Sequence, residues 1–263
     1  ADWSSWRAQR PMKRLKWVRR VWVILLFPAF LFGSGGCGYY HYSGSLQPMP
    51  EQSVSMQTDR AGVITHREND LLIQLRAVSA DELNQQFVTH SANGPESTNP
   101  YTFGDTRFWD GEQQRDRFTV YHLKVVNEGF PKVKIDPARV VMATDRGRQY
   151  WSLSLQQLDT YYRAYATGFR GNEYARYQER LDLLRRTMYK NEEVFDGQTI
   201  EGYLVFPSLH QDVSSVTVRV FDAVLRFDHR NEPQQTAELI YRFERETGRL
   251  YRDGRLVLDS AHR

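Results

Sequence analysis

One segment near the beginning of the chain decides how much of it has to fold as a globule. Residues 12–37 read MKRLKWVRRVWVILLFPAFLFGSGGC and end on Cys37, the only cysteine. Five basic residues, Lys13, Arg14, Lys16, Arg19 and Arg20, precede an apolar core from Val21 to Phe32, and the small residues Ser34, Gly35 and Gly36 follow. A basic start, an apolar middle and a small-residue end form the three-part pattern of an export signal. The alternative is an uncleaved anchor. The uninterrupted apolar part is only 12 residues long, against the roughly 20 that a membrane-spanning helix needs. Met12 is a natural initiator for the pattern, with residues 1–11 ahead of it.

The signal also owns the positive charge. The whole chain has a formal net charge of +3, but residues 1–36 hold seven basic residues and one acidic residue. What remains has 28 basic and 31 acidic residues, a net of −3. Nucleic-acid binding, which needs its basic footprint on the folded domain, is not expected. A single cysteine excludes an intramolecular disulfide, and about 200 residues bury enough core to do without one.

The run Met12 to Cys37 resembles a bacterial lipoprotein signal peptide, in which small residues precede the cysteine that receives lipid. The resemblance implies that Cys37 becomes the first residue of the mature chain and carries covalent lipid, the one attached group expected. It places the protein in the bacterial cell envelope, at the outer membrane of a diderm host because Gly38 rather than Asp follows the cysteine. An uncleaved inner-membrane anchor is the alternative address.

Residues 37–62 read as a lipidated tether of Gly, Ser, Pro and Gln without a sustained period. Its Tyr39, Tyr40 and Tyr42 suit either the headgroup level of a bilayer or docking on the domain. From 63 to 263 the pattern is mainly β. Leu71–Ala77, Phe118–Val126, Thr199–Phe206, Val216–Phe221, Val224–Phe227 and Leu239–Phe243 alternate as strands. Shorter candidates surround Val133, Val140 and Tyr150, with Asp145-Arg146-Gly147 as a turn, and the end forms a hairpin about Asp253-Gly254. A long polar connection from Ser91 to Arg117 carries Phe103, Phe108 and Trp109, which pin it to the core or form a partner edge.

The period changes to helical over about 156–190, where Tyr174, Tyr177, Leu181, Leu184 and Met188 recur at three- and four-residue spacings. Many short strands interrupted once by helix point to a β-sandwich. The segments FTVYHLKVVNEG, ATDRGRQYW and FDGQTIEGYLVFP are similar to exported immunoglobulin-like domains, through Asn127, Asp145, Gly147, Tyr150, Gly197, Gly202 and Phe206. That resemblance implies a scaffold for adhesion or assembly. The expected architecture is an immunoglobulin-like β-sandwich with a helical insertion, behind a signal or anchor segment.

Motifs for chemistry are absent from the sequence. The seven histidines form no HExxH helix and no close metal-ligand pair, and no nucleophile elbow or phosphate loop occurs. Asp228, His229 and Glu232 read as turn residues. The reading is therefore a non-enzymatic, membrane-tethered interaction or assembly subunit of an envelope protein complex. Phe103, Phe108, Trp109, Tyr174, Tyr177, Arg180 and Arg185 are its expected partner contacts, beside membrane lipid held through Cys37. The alternative is an envelope carbohydrate-binding module or hydrolase.

Overall fold

The computed structural model describes residues 39–106, 116–168 and 173–259. Cys37, Phe108 and Trp109 lie outside the described residues, as does the signal segment. The described chain is mainly β, with 44% strand against 22% helix.

In chain order the first strands are β1 (Tyr39–Ser43), β2 (Gln47–Pro48), β3 (Met56–Thr58), β4 (Ile64–Glu68) and β5 (Leu71–Val78). Two short helices follow, α1 (Ala80–Gln86) and α2 (Val88–Ser91). Next come β6 (Phe118–Asn127), β7 (Lys132–Lys134), β8 (Val140–Thr144) and β9 (Gln149–Trp151), then helices α3 (Leu155–Gly168) and α4 (Glu173–Thr187). The chain continues through β10 (Glu193–Phe195), β11 (Gln198–Pro207), β12 (Ser215–Phe227), β13 (Pro233–Glu244), β14 (Thr247–Tyr251) and β15 (Leu256–Leu258).

Two antiparallel sheets face each other. One runs β11-β6-β5-β4-β3, and the other runs β10-β7-β12-β13-β2 with β8 and β9 attached to β12. The strands form because their apolar residues repeat at every second position, so one whole face leaves water. Leu71, Ile73 and Leu75 of β5, Tyr121, Leu123 and Val125 of β6, and Val216, Val218 and Val220 of β12 all enter one core. Tyr121 and Phe243 meet across it with ring centroids 5.1 Å apart, and the Tyr241 hydroxyl donates to the Ile73 carbonyl at 3.2 Å. Each large side chain buried there contributes about 1.5–3 kcal/mol.

The second core explains a break in the alternation. Five consecutive residues of β11, Gly202 to Phe206, are buried. Leu204 and Phe206 face the opposite sheet, whereas Tyr203 and Val205 face the helices with Leu158, Tyr162, Tyr177, Leu181 and Leu184. A strand covered on both sides reads as an unbroken apolar run. The helical insertion is thus a third layer over one part of the five-stranded sheet.

Three differences from the sequence reading have physical causes. The stretch read as a tether contains paired strands: β1 lies along β14, and β2 caps the edge of β13. The backbone of β1 takes its partner from the far end of the sequence, a long-range pairing that local composition does not encode, while the Tyr39 ring stays exposed. The segments Val216–Phe221 and Val224–Phe227 are one strand, β12, bent at Asp222, whose φ of 50° accompanies a register shift against β13. Residues 80–91 form α1 and α2, too short to show a period; Ser79 caps α1 by accepting from the Glu82 amide at 3.2 Å.

Gly202 marks a contact between layers. A Cβ there would lie 2.5 Å from the Tyr189 nitrogen and 2.6 Å from its Cα, where the Tyr189 amide donates to the Tyr203 carbonyl at 3.0 Å. The Gly202→Ala substitution therefore has to push backbone aside, and a loss of about 1–3 kcal/mol is expected from overpacking. Gly168→Ala, which meets nothing within 4 Å, should leave the urea midpoint unchanged or slightly raised.

Candidate functional site

Two surfaces are candidates for function: a polar cleft and the outer face of the helical layer. The cleft, of about 1010 Å³, lies among the β1–β2 segment, the β5–α1 junction, the start of β6 and the loop after β11. That volume matches small-molecule sites in general. Its phenyl and phenol rings are Tyr39, Tyr40, Tyr101, Phe118 and Tyr150, and its charged groups include Arg76, Glu82, Asp116, Arg148 and Arg245.

Most of those charges hold the fold. Arg76 forms a fork with both Glu82 oxygens at 2.6 and 2.7 Å. The Arg148 guanidinium donates to both oxygens of Asp212 at 2.8 and 2.6 Å. His210 Nδ1 lies 2.7 Å from the same carboxylate. Burial works against ionisation of Asp212, but the hydrogen bonds from His210 and Arg148 prevail and hold its carboxyl below the usual range. Arg245 donates from Nε to the Val213 carbonyl at 2.8 Å and from Nη2 to the His210 carbonyl at 2.6 Å. Burial lowers its pKa, opposed by the carboxylates of Asp116, Asp145 and Asp212.

An aspartate that orients a histidine is half of a nucleophile-activating arrangement. Here Arg148 shares the carboxylate, which reduces its capacity to stabilise an imidazolium, and the His210 ring is largely in water. The three side chains brace the loop from Ser208 to Ser214. Trp151 stands on β9 at 58% exposure and does not line this cleft. Among the described residues, no three His, Cys, Asp or Glu side chains gather as metal ligands would.

The helical layer separates the expected contact residues into two sets. Tyr174 and Arg185 are exposed on α4, and Tyr161 is exposed on α3. Tyr177 and Arg180, expected on the same partner face, are buried. From Tyr177 onward the stripe at helical spacing is the packing face, and Arg180 is buried with it. Phe103 is half-buried, with the Arg117 guanidinium 4.4 Å above its ring; this fits pinning better than a free partner edge.

Arg180 is the hub of the layer. It is 1% exposed, bonds Glu173 at 3.3 Å from Nη1 and the Ser97 carbonyl at 2.7 Å from Nη2, and lies 5.5 and 5.6 Å from the ring centres of Tyr162 and Tyr165. Glu173 also accepts from Arg176 at 2.6 Å, and Arg176 reaches Glu96 at 2.8 Å. Tyr162 donates to the Pro100 carbonyl at 2.5 Å and receives Arg117 at 3.0 Å. Together these groups fasten α3 and α4 to residues 96–101. Asn99 and Tyr101, which the sequence reading did not select, complete the clasp: Asn99 donates to Ser91 at 2.9 Å and accepts from the Tyr101 amide at 2.9 Å. The local mark of this segment in the sequence is the dipeptide Asn99-Pro100, which favours a turn.

Compared with protein-family models, with curated proteins and with solved structures, the chain matches none.

Removing Arg180 would leave the buried Glu173 carboxylate to Arg176 alone and the Ser97 carbonyl without this donor, so Arg180→Met should cost about 1–3 kcal/mol in chemical denaturation. Burial raises the Glu173 pKa, but the bonds from Arg176 and Arg180 outweigh it and leave the group below its ordinary 4.5. A depressed folded pKa means that this stabilisation is complete above pH 4.5 and is lost as pH falls through the lower, folded value. The Glu173→Gln variant should therefore show a flatter stability curve than the native chain in that acid window.

Proposed function

We propose that this chain is a membrane-tethered lipoprotein, acylated on Cys37, whose immunoglobulin-like sandwich serves as a non-catalytic interaction subunit of a cell-envelope assembly. The observation that carries the reading is the division of the helical layer. Its inner face is fixed by the Arg180 clasp, while Tyr174 and Tyr161 face outward with Arg185 on the same helix pair. Exposed aromatic and arginine side chains on a rigid support suit protein recognition, because little side-chain or backbone freedom is lost on binding. The cleft supports the non-catalytic part, since its arginines are committed to Glu82, Asp212 and the loop carbonyls. Anchoring adds effective concentration, so modest contacts suffice for occupancy.

A second reading takes the same cleft as a glycan site, favoured by Tyr39 and Tyr150 beside charged groups. Native mass spectrometry of the endogenous protein, released from membranes in mild detergent, separates the two. An acylated species beginning at Cys37 with a bound protein is expected, and Tyr174→Ala with Arg185→Glu should weaken that association at least tenfold without changing the melting temperature. A solitary acylated species that binds envelope glycan fragments would favour the second reading. A chain retaining residues 12–36 would overturn the lipoprotein assignment.

A further inference from the structure

The strands β1, β14 and β15 form a three-stranded sheet of their own, in the order β1-β14-β15. Its register sorts the side chains into two faces. Tyr40, Leu250 and Leu256 stand in one cross-strand row, and Tyr42, Gly248 and Leu258 in the next. The opposite face carries Tyr39 beside Tyr251, and His41 beside Arg249 and Val257. None of these residues belongs to either core cluster. Leu256, Val257 and Leu258 are 41–44% exposed. Tyr40, Tyr42 and Leu250 are half-buried and Gly248 is buried, so the apolar surface left uncovered lies along β15.

The ribbon's position in the chain says what covers that surface. Tyr39, the first residue of β1, follows Cys37 by two positions, which spans at most about 7 Å of extended chain. Tyr39 pairs with Tyr251, so the Arg252–Arg255 turn that joins β14 to β15 lies at the same end of the ribbon. Arg255 stands 4.6 Å from the Tyr251 ring centre and Arg249 stands 5.1 Å from that of Tyr39. Tyrosine rings with arginines suit the headgroup level, where the rings are amphipathic and anionic lipids attract the guanidinium groups. A second copy pairing along β15 would gain a ladder only three residues long.

We propose that the turn end of the β1-β14-β15 ribbon is a membrane-docking surface, with Tyr39, Tyr251 and Leu256 at the headgroup boundary and Arg252 and Arg255 meeting anionic lipid. This rests on the proposed acylation of Cys37 for its placement but predicts a separate contact. The domain then lies against the bilayer in one orientation and does not hang from a flexible leash.

The test uses the full chain, purified from membranes and reconstituted in phosphatidylcholine vesicles containing 30% phosphatidylglycerol. A nitroxide is attached at Leu256→Cys, and at Asp196→Cys in the β10–β11 turn as a reference. The Leu256 label should be at least fivefold less accessible than the reference to a water-soluble paramagnetic reagent, and that protection should fall when phosphatidylglycerol is omitted. Equal accessibility of the two labels would overturn the docking. So would protection that rises with protein concentration and persists in detergent, which marks a second copy as the occupant. Label stoichiometry keeps the two ideas apart: one label per chain means that Cys37 is blocked. Two labels with Leu256 still protected would sink the acylation while the docking stands.

Discussion

Strand β6 is the constraint on which the fold depends. It pairs with β5 on one edge and with β11 on the other, over nearly its whole length. Its side chains are also divided between two cores, with Tyr121, Leu123 and Val125 in one and Val120 in the other. Few residues of β6 have an alternative partner or face, because a one-residue slip would exchange the two sets of side chains. At its end, Asn127 is fully buried, donating to the carbonyls of Phe130 and Val194 at 2.8 and 2.9 Å. That one amide ties the strand to the turn that leads into the opposite sheet.

The helical layer uses a different kind of adhesive. A guanidinium removed from water is costly, and burial of an ion pair is weak support for stability by itself. Its value at Arg180 lies in direction: one planar group engages a carboxylate, a carbonyl and two aromatic rings from separate segments. Apolar packing would hold α4 against β11 in several registers, whereas this clasp selects one. The outward residues Tyr174 and Arg185 inherit a fixed position from it.

How much of this was legible in the sequence follows from which interactions are local. Alternation found β5, β6 and β11 because half of each strand's residues face a core, and Asp145-Gly147 and Asp253-Gly254 gave the hairpins through turn geometry at Gly147 and Gly254, whose φ values are 75° and 83°. Helical spacing placed α3 and α4 close to the expected stretch of about 156–190, with α3 starting one residue earlier, at Leu155. Burial of Arg180 was not legible, since a charged residue within an apolar stripe looks the same whether it reaches water or a hidden carboxylate. Strands β1 and β2 were likewise invisible: their partners stand near the other end of the sequence, and nothing in YYHYS or QP announces them. The cleft shared that fate, being assembled from segments that are far apart in the chain, from Tyr39 to Arg245.

The pairing of β1 with β14 also orders events in time. Residues 39–43 need residues 247–251 to complete their ladder, so the earliest strand of the domain waits for almost the latest. On the proposed export route Cys37 crosses first and is anchored first, leaving β1 an unpaired edge at the membrane while the sheets behind it form. The ribbon closes only when β14 and β15 emerge, and its closure reports that synthesis has passed Leu258. A chain truncated before Thr247 would keep much of its core, yet expose an open edge to capture by neighbouring strands or proteases.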